Sequence, residues 1–299
     1  MLVAVIDVGS NTVRLLVATV GRRVAPAPVV TDRAYLGLGA EIARSGSLSP
    51  ATVEAAAQVC GRFAERARSA GAENALVIVT APGRQGRDPD ALVSALLART
   101  RLPVRVLTAE DEGWLAYEGA LARAVDPLPD SIGVVDVGGG STEVVVGNRA
   151  NGALWVDSVD LGSLRLTRLA LEGDPPSKRE LAAARDLVRR ALAPLSPPRP
   201  DAALAVGGSA RALAKLVGRT FDADDAEAAI EILARRRSAK VARDAGIDDR
   251  RAGTVMAGAL LLAETSRLLG RPFGLARGGL REGVALSLAR EDGRAAEAA

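Results

Sequence analysis

One short pattern occurs twice in this chain, 129 residues apart, and it constrains the fold more than any other feature. The segments VIDVG at 5–9 and VVDVG at 134–138 each end an apolar run, and each is followed by a turn of small residues and a second apolar run. An internal repeat of this kind indicates that a supersecondary unit has been duplicated. We therefore expect two α/β domains, each opening with two strands joined by a tight turn.

Hydrophobic periodicity predicts alternating strands and helices in both halves. In the first half we predict strands over 2–8, 12–20, 75–80 and 104–107, and helices over 50–70, 88–98 and 110–124. In the second half we predict two strands within 131–147, further strands over 153–160 and 203–206, helices over 163–171 and 177–193, helices starting at Ala210, Asp225, Ala239 and Arg250, and a last short helix over 280–289. The predicted domains are residues 1–126 and 127–299.

Composition excludes several classes of protein. The chain has 299 residues, 48% of them apolar and 25% charged, so it can bury large cores. It contains no histidine and one cysteine, which excludes mechanisms based on a Ser-His or Cys-His pair and zinc centres built on cysteine. Aromatic residues are 2% of the chain and the net charge is +3, so we expect no nucleic-acid partner. With no apolar run long enough to span a bilayer, we expect a cytoplasmic protein with no membrane partner.

Each repeat places an aspartate at the end of a strand, directly before a turn of small residues. Successive backbone N–H groups in such a turn form an anion nest, and a carboxylate beside it can hold Mg²⁺ on a phosphate group. A single Asp-Val-Gly turn is more often an ordinary hairpin, but two copies in the same register favour a phosphate site. A third glycine turn at 205–209 and a fourth at 277–280 are each, taken alone, more often plain turns.

Four motifs together resemble one family within the actin, sugar-kinase and heat-shock ATPase superfamily. These are IDVGSNTVRLL at the start, VDVGGGSTEVVVG in the second half, LGSLRLTR at 161–168 and GLREGVAL at 279–286. They are similar to motifs of the exopolyphosphatase and guanosine pentaphosphate phosphohydrolase family, and the resemblance covers essentially the whole chain. It implies two tandem ribonuclease-H-like (actin-like ATPase) domains with an interdomain cleft. Longer members carry an added C-terminal helical domain that this sequence lacks, so the chain resembles a short two-domain member.

The resemblance implies a role for individual residues. It implies phosphate binding by a first loop, a second loop and an arginine, namely Ser10, Asn11, Thr12, Arg84, Gly138, Gly139, Gly140, Ser141 and Thr142. Gly208 and Ser209 in the third glycine turn are further candidates, because that turn lies between a strand and the positive N-terminal end of a helix. It implies Mg²⁺ held near Asp7, Asp136 and Glu143, a homodimer, and a role in the stringent response. Two positions depart from the family pattern: Trp114 stands where arginine is usual, and Gly253 where aspartate is common. The lost charges could alter chain-length preference or metal affinity.

The family's catalytic glutamate matches Glu112 in TAEDEGWLAY. Because the chain has no histidine, a carboxylate is also the side chain best suited to take a proton from water near neutral pH. The alternative is that Glu110, Asp111 and Glu112 are simply an acidic first turn of a helix. We expect Glu112 to be the general base of a Mg²⁺-dependent exopolyphosphatase that acts on short inorganic polyphosphate.

Three other functions remain open at this point. Guanosine pentaphosphate has the same kind of terminal phosphoanhydride and is the nearest alternative substrate. A kinase that uses ATP would need an adenosine site, for which the third glycine turn is the candidate. A sensor would bind guanosine pentaphosphate or tetraphosphate without hydrolysing it.

Overall fold

The computed structural model describes residues 1–21, 24–124 and 127–298. Its strands, in chain order, are β1 Leu2–Val8, β2 Thr12–Gly21, β3 Val24–Tyr35, β4 Asn74–Val79, β5 Val104–Val106, β6 Ser131–Val137, β7 Thr142–Asn148, β8 Gly152–Val159, β9 Ala202–Val206, β10 Thr220–Phe221 and β11 Phe273–Leu275. Its helices are α1 Leu38–Ser45, α2 Pro50–Ser69, α3 Ala81–Gln85, α4 Pro89–Thr100, α5 Ala109–Ala122, α6 Ser163–Ala170, α7 Lys178–Leu192, α8 Gly207–Val217, α9 Ala223–Arg235, α10 Ser238–Asp244, α11 Val255–Leu269 and α12 Leu280–Ala298, with a 3₁₀ helix at Asp249–Thr254.

The chain divides into two compact units. Unit 1 contains Met1–Arg123 and Gly278–Ala299, and unit 2 contains Ala124–Arg277. The predicted second domain ran to residue 299, whereas α12 belongs to unit 1. The reason is its packing: a side chain at Gly283 would collide with the backbone carbonyl of Leu115 in α5, so the two helices touch backbone to backbone. Asp126, the predicted end of the first domain, lies outside the described residues.

The sheet of unit 1 has five strands in the order β3-β2-β1-β4-β5. β1 pairs antiparallel with β2 and parallel with β4, so the predicted opening hairpin is confirmed. Residues 3–6 and Val8 of β1 are fully buried, as a central strand requires, and apolar residues of α2 and α4 pack against the sheet to form one core. α2 begins as predicted, since the Ser49 hydroxyl accepts a hydrogen bond from the backbone N–H of Thr52 and Pro50 occupies the first turn.

The sheet of unit 2 has six strands in the order β10-β11-β9-β6-β7-β8. Its opening hairpin repeats that of unit 1 residue for residue: Asp7 lies opposite Arg14 across β1 and β2, and Asp136 lies opposite Glu143 across β6 and β7. α11, which is buried on most of its surface, packs with α7, α8 and α9 in the core of this unit. The predicted duplication is therefore visible in the pairing of both hairpins.

Several elements differ from the sequence prediction. β3, α1, α3, β10 and β11 were not predicted, and the predicted helix at Arg250 begins as the 3₁₀ helix before α11 takes over. α12 continues beyond the predicted end at 289. No helix within the described ranges is both long and apolar enough to cross a membrane.

Candidate active site

The first predicted phosphate loop is the turn between β1 and β2, residues 9–12. The Gly9 N–H donates to the Thr12 carbonyl over 3.0 Å, which closes the turn. The Ser10 side chain is 4% exposed, and its hydroxyl oxygen has no hydrogen-bond partner within the described part of the chain. Leaving a buried hydroxyl unsatisfied carries a free-energy cost, so this oxygen marks a place for a ligand or water.

Asp7 precedes this turn and sits among charged side chains. Burial raises the pKa of its carboxyl group, the positive charges of Arg281 and Arg14 oppose that rise, and Glu282 adds to it. Neither arginine was assigned a role from the sequence. Arg281 is part of the GLREGVAL motif, and its Nη1 also donates to the Leu15 carbonyl over 3.4 Å. Asp7, predicted as a metal ligand, thus already has two cationic neighbours.

The predicted base and the predicted phosphate-gripping arginine form an ion pair. Glu112 lies in the first turn of α5, whose N-cap is the Thr108 side chain, and Arg84 lies at the end of α3. Arg84 Nη1 is 2.7 Å from Glu112 Oε2 and also donates to the Leu107 carbonyl over 3.0 Å. The two side chains are only 18% and 9% exposed. A charge-assisted hydrogen bond of this length fixes the orientation of the Glu112 carboxylate.

The second predicted phosphate loop is the turn between β6 and β7, residues 138–141. Its Gly138 N–H donates to the Ser141 carbonyl over 3.0 Å, the same closure as in the first loop. The Thr142 hydroxyl, also predicted to bind phosphate, donates to the Leu161 carbonyl over 2.7 Å. Its hydrogen is therefore used inside the protein, and phosphate binding by Thr142 stays a prediction.

The third glycine turn lies against this second loop. Gly207 has a φ of +84°, and a Cβ atom there would lie 2.5 Å from Asp136 Oδ1. Both the left-handed backbone conformation and the close approach of Asp136 therefore require glycine at this position. The Ser209 hydroxyl donates to the Val137 carbonyl over 2.9 Å, which ties the start of α8 to the end of β6. The Arg251 guanidinium covers Gly208, a contact that sequence reasoning missed.

Asp136 and Glu143 are the predicted metal ligands that the structure brings together. They face each other across β6 and β7, Glu143 is 1% exposed, and its Oε1 accepts from the Ser158 hydroxyl over 3.1 Å. Two carboxylates directly opposite each other repel, and a hard divalent cation relieves that repulsion. The pair therefore fits a Mg²⁺ ion. Over the described residues no group of three or more acidic or cysteine side chains is arranged to hold a metal ion.

Two α/β units that each open with a strand-ending aspartate and a closed loop of small residues match the tandem ribonuclease-H-like, actin-like ATPase fold. Solved structures of similar fold agree. A family member from Aquifex aeolicus, described as a Ppx/GppA protein, has a TM-score of 0.82 at 24% identity, over 98% of each chain. An exopolyphosphatase from Cytophaga hutchinsonii has a TM-score of 0.85 at 22% identity, over 96% of this chain and 97% of that one.

The chain belongs to the Ppx/GppA phosphatase family, whose model matches residues 16–292. Its relatives include exopolyphosphatase 1 of Mycobacterium tuberculosis, 30% identical over 303 residues, which cover 96% of this chain and 88% of the relative. Exopolyphosphatase 2 of the same organism is 32% identical over 200 residues, covering 64% of this chain and 62% of the relative. The resemblance stated from the motifs is confirmed, and the protein is an enzyme of the phosphatase class.

Proposed function

We propose that this phosphatase is an exopolyphosphatase, which releases orthophosphate from the end of inorganic polyphosphate. The observation that carries the proposal is the buried Glu112 carboxylate held at 2.7 Å by Arg84. Such a carboxylate is held in one orientation by the guanidinium and lies largely out of bulk solvent, which suits a general base that takes a proton from a bound water. The choice of polyphosphate is supported by the relationship to exopolyphosphatase 1 over 96% of the chain.

The proposed step is an in-line displacement at the terminal phosphorus. A water oxygen attacks this phosphorus while Glu112 takes a proton from the water. The bond between the phosphorus and the bridging oxygen breaks, and the electron pair leaves on the shortened chain. Arg84 acts here as a positioning residue for Glu112, and we propose that its guanidinium also binds a phosphate oxygen of the substrate.

The two loops supply groups that bind phosphate. In unit 1 the buried hydroxyl of Ser10 is the donor that a phosphate oxygen would satisfy, alongside the backbone N–H groups of Asn11 and Thr12. In unit 2 the corresponding groups are backbone N–H groups of residues 139–141, since the Gly138 N–H closes the turn, with Gly208 and Ser209 beside them. Arg251 on Gly208 adds a positive charge at that place.

Asp136 and Glu143 are proposed to hold a divalent cation, Mg²⁺ by preference. With two protein carboxylates, the remaining ligands of the ion are phosphate oxygens and water. When bound, the ion neutralises phosphate charge. We do not include Asp7 as a direct ligand in this proposal, because Arg14 and Arg281 already lie near its carboxyl group.

We propose a preference for short polyphosphates, because the candidate groups in each unit lie within one turn and its immediate neighbours and can hold only a few phosphates. Guanosine pentaphosphate is the competing substrate. A non-hydrolysing sensor of guanosine pentaphosphate or tetraphosphate is the alternative outside catalysis. The predicted homodimer stays a prediction that light scattering would test.

The deciding experiment measures phosphate release from tripolyphosphate, long-chain polyphosphate and guanosine pentaphosphate, with and without Mg²⁺. We expect fastest release from tripolyphosphate, and a 10²- to 10⁴-fold lower kcat for Glu112→Gln, as is typical when a general base is lost. Asp111→Asn, which alters the neighbouring exposed carboxylate, is the matched control and should keep kcat within about 2-fold. Equal activity of Glu112→Gln and wild type would refute the role of Glu112. Tight nucleotide binding without phosphate release would favour the sensor.

A further inference from the structure

In both units a backbone carbonyl of the predicted phosphate loop accepts hydrogen bonds from the first turn of a helix. This helix is the one that follows the third strand of the unit. In unit 1 the Gly39 N–H, in the first turn of α1, donates to the Ser10 carbonyl over 2.8 Å. In unit 2 the Leu164 and Arg165 N–H groups, in the first turn of α6, each donate to the Gly139 carbonyl over 3.0 Å. The repeat offset makes Ser10 and Gly139 equivalent residues, so the same loop carbonyl is bound in both units.

These contacts solve a general problem of helix ends. The first N–H groups of a helix have no partner within the helix and need an acceptor elsewhere. Here the loop carbonyls are the acceptors, and neither first turn has a side-chain cap. Two more donors reinforce the arrangement in unit 2, since both the N–H and the hydroxyl of Ser163 donate to the Gly138 carbonyl, over 2.9 and 3.1 Å.

The planarity of the peptide bond converts this attachment into an orientation. In a trans peptide the carbonyl and the N–H of the same plane point in opposite directions. The Ser10 carbonyl shares its plane with the Asn11 N–H, and the Gly139 carbonyl shares its plane with the Gly140 N–H. Fixing each carbonyl toward a helix therefore turns the Asn11 and Gly140 N–H groups away from it.

Two glycines make the close approach of helix and loop possible. A methyl group at Gly39 would lie 2.6 Å from the Ser10 Cβ atom. A methyl group at Gly162, the N-cap of α6, would lie 2.5 Å from the carbonyl carbon of Gly139 and 2.6 Å from the Gly140 nitrogen. Neither glycine has a positive φ, so close packing rather than backbone conformation requires glycine at these positions.

We infer that Gly39 and Gly162 are positioning residues for phosphate binding: they let the first turns of α1 and α6 hold the loop carbonyls so that the Asn11 and Gly140 N–H groups face the phosphate. The inference rests on the proposed function, because it takes the phosphate groups of polyphosphate as the ligand. It assigns a role to α1 and to the LGSLRLTR segment.

The test compares Gly39→Ala and Gly162→Ala with two matched controls. We expect each variant to raise the KM for tripolyphosphate at least 10-fold while kcat falls less than 3-fold. The controls are Gly61→Ala in unit 1, where the nearest atom is the Arg99 Cγ at 3.0 Å, and Gly133→Ala in unit 2, where it is the Pro200 Cγ at 3.0 Å. These substitutions crowd side chains only, so KM should stay within 2-fold of wild type. An equal rise of KM in the controls would overturn the inference.

A double substitution gives a rescue that general destabilisation would not show. Ser10→Gly removes the Cβ atom that a methyl group at position 39 would strike. Adding Gly39→Ala to Ser10→Gly should therefore raise KM by less than 2-fold beyond Ser10→Gly alone, whereas Gly39→Ala in wild type raises it at least 10-fold. Additive effects would contradict the proposed clamping of the loop by α1.

Amide NMR separates this inference from the proposed function. In the ligand-free protein, Gly162→Ala should speed hydrogen exchange of the Leu164 and Arg165 amides at least 10-fold, and in wild type tripolyphosphate should shift the Asn11 and Gly140 amide signals. If wild type releases no phosphate from any polyphosphate, the proposed function fails, while these two measurements still decide the inference. Unchanged exchange together with unchanged KM, or no shift of the Asn11 and Gly140 signals, would overturn it.

Discussion

Replacing Arg84 by methionine removes the positive charge beside Glu112 and the hydrogen bonds that Arg84 donates to Glu112 and to the Leu107 carbonyl, but keeps an unbranched apolar stem. The pair is 2.7 Å apart and its members are 18% and 9% exposed, so the carboxylate left behind would be largely desolvated. Breaking one partner of a buried ion pair costs about 3 to 5 kcal/mol, and the partial exposure here places the expected cost near the lower value, about 3 kcal/mol.

The companion variant Glu112→Gln leaves a neutral amide that can still accept from Arg84. Its expected cost is about 1 kcal/mol, the range of an ordinary hydrogen bond. In Arg84→Met/Glu112→Gln no charge is left unpaired, so the double variant should be less destabilised than the sum of the two single variants by about 1 to 2 kcal/mol.

Urea unfolding followed by tryptophan fluorescence measures these values unit by unit. The chain has two tryptophans, Trp114 in α5 of unit 1 and Trp155 in β8 of unit 2. In a Trp155→Phe background the emission reports on unit 1 alone. With a typical urea slope of about 2 kcal/mol per molar, a loss of 3 kcal/mol lowers the midpoint by about 1.5 M. A midpoint shift of Arg84→Met below about 0.3 M, or strict additivity in the cycle, would refute the reasoning about the Arg84 and Glu112 pair.

Three further predictions concern other parts of the chain. Hydrogen bonding from Arg185 lowers the pKa of Glu227 from 4.5 to about 2, so this carboxylate stabilises unit 2 above pH 4.5 and its contribution is lost as the pH falls toward 2. Glu227→Gln should remove that part of the pH dependence of the unfolding free energy. The measurement is urea unfolding at several pH values, followed by Trp155 emission in a Trp114→Phe background. Ser49→Ala should lower the stability of unit 1 by about 1 kcal/mol through loss of the α2 cap, with the urea midpoint as the measurement. Glu143→Gln should raise the Mg²⁺ concentration for half-maximal phosphate release at least 10-fold, and an unchanged Mg²⁺ titration would contradict its assignment as a ligand.

The duplicated hairpins could be predicted because their signal is local and doubled. β1 and β6 are continuous apolar runs ended by Asp7 and Asp136, and this pattern needs no tertiary information. β3 could not be predicted in the same way, because Pro26 and Pro28 interrupt its pattern. Its place at the edge of the five-stranded sheet explains how the prolines are tolerated.

The candidate site was predicted by residue type, but the contacts of those residues depend on tertiary structure. Arg84 and Glu112 are 28 positions apart, and nothing local shows that they pair. α1 was missed because the glycines at 37 and 39 read as a turn, whereas one is the cap of the helix and the other packs on Ser10. Helical periodicity predicted the start of α12 but carries no information on which unit it joins.

The position of α12 in the chain has a consequence for biosynthesis. Unit 1 is discontinuous, because it consists of the two separate segments Met1–Arg123 and Gly278–Ala299. The backbone of Leu115 can pack against Gly283 only after the second segment has been synthesised. A ribosome therefore delivers every residue of the continuous unit 2 before it delivers the segment that completes unit 1. We expect the nascent chain to acquire a protease-resistant second half first, and an isolated fragment ending at Arg123 to remain open to cleavage.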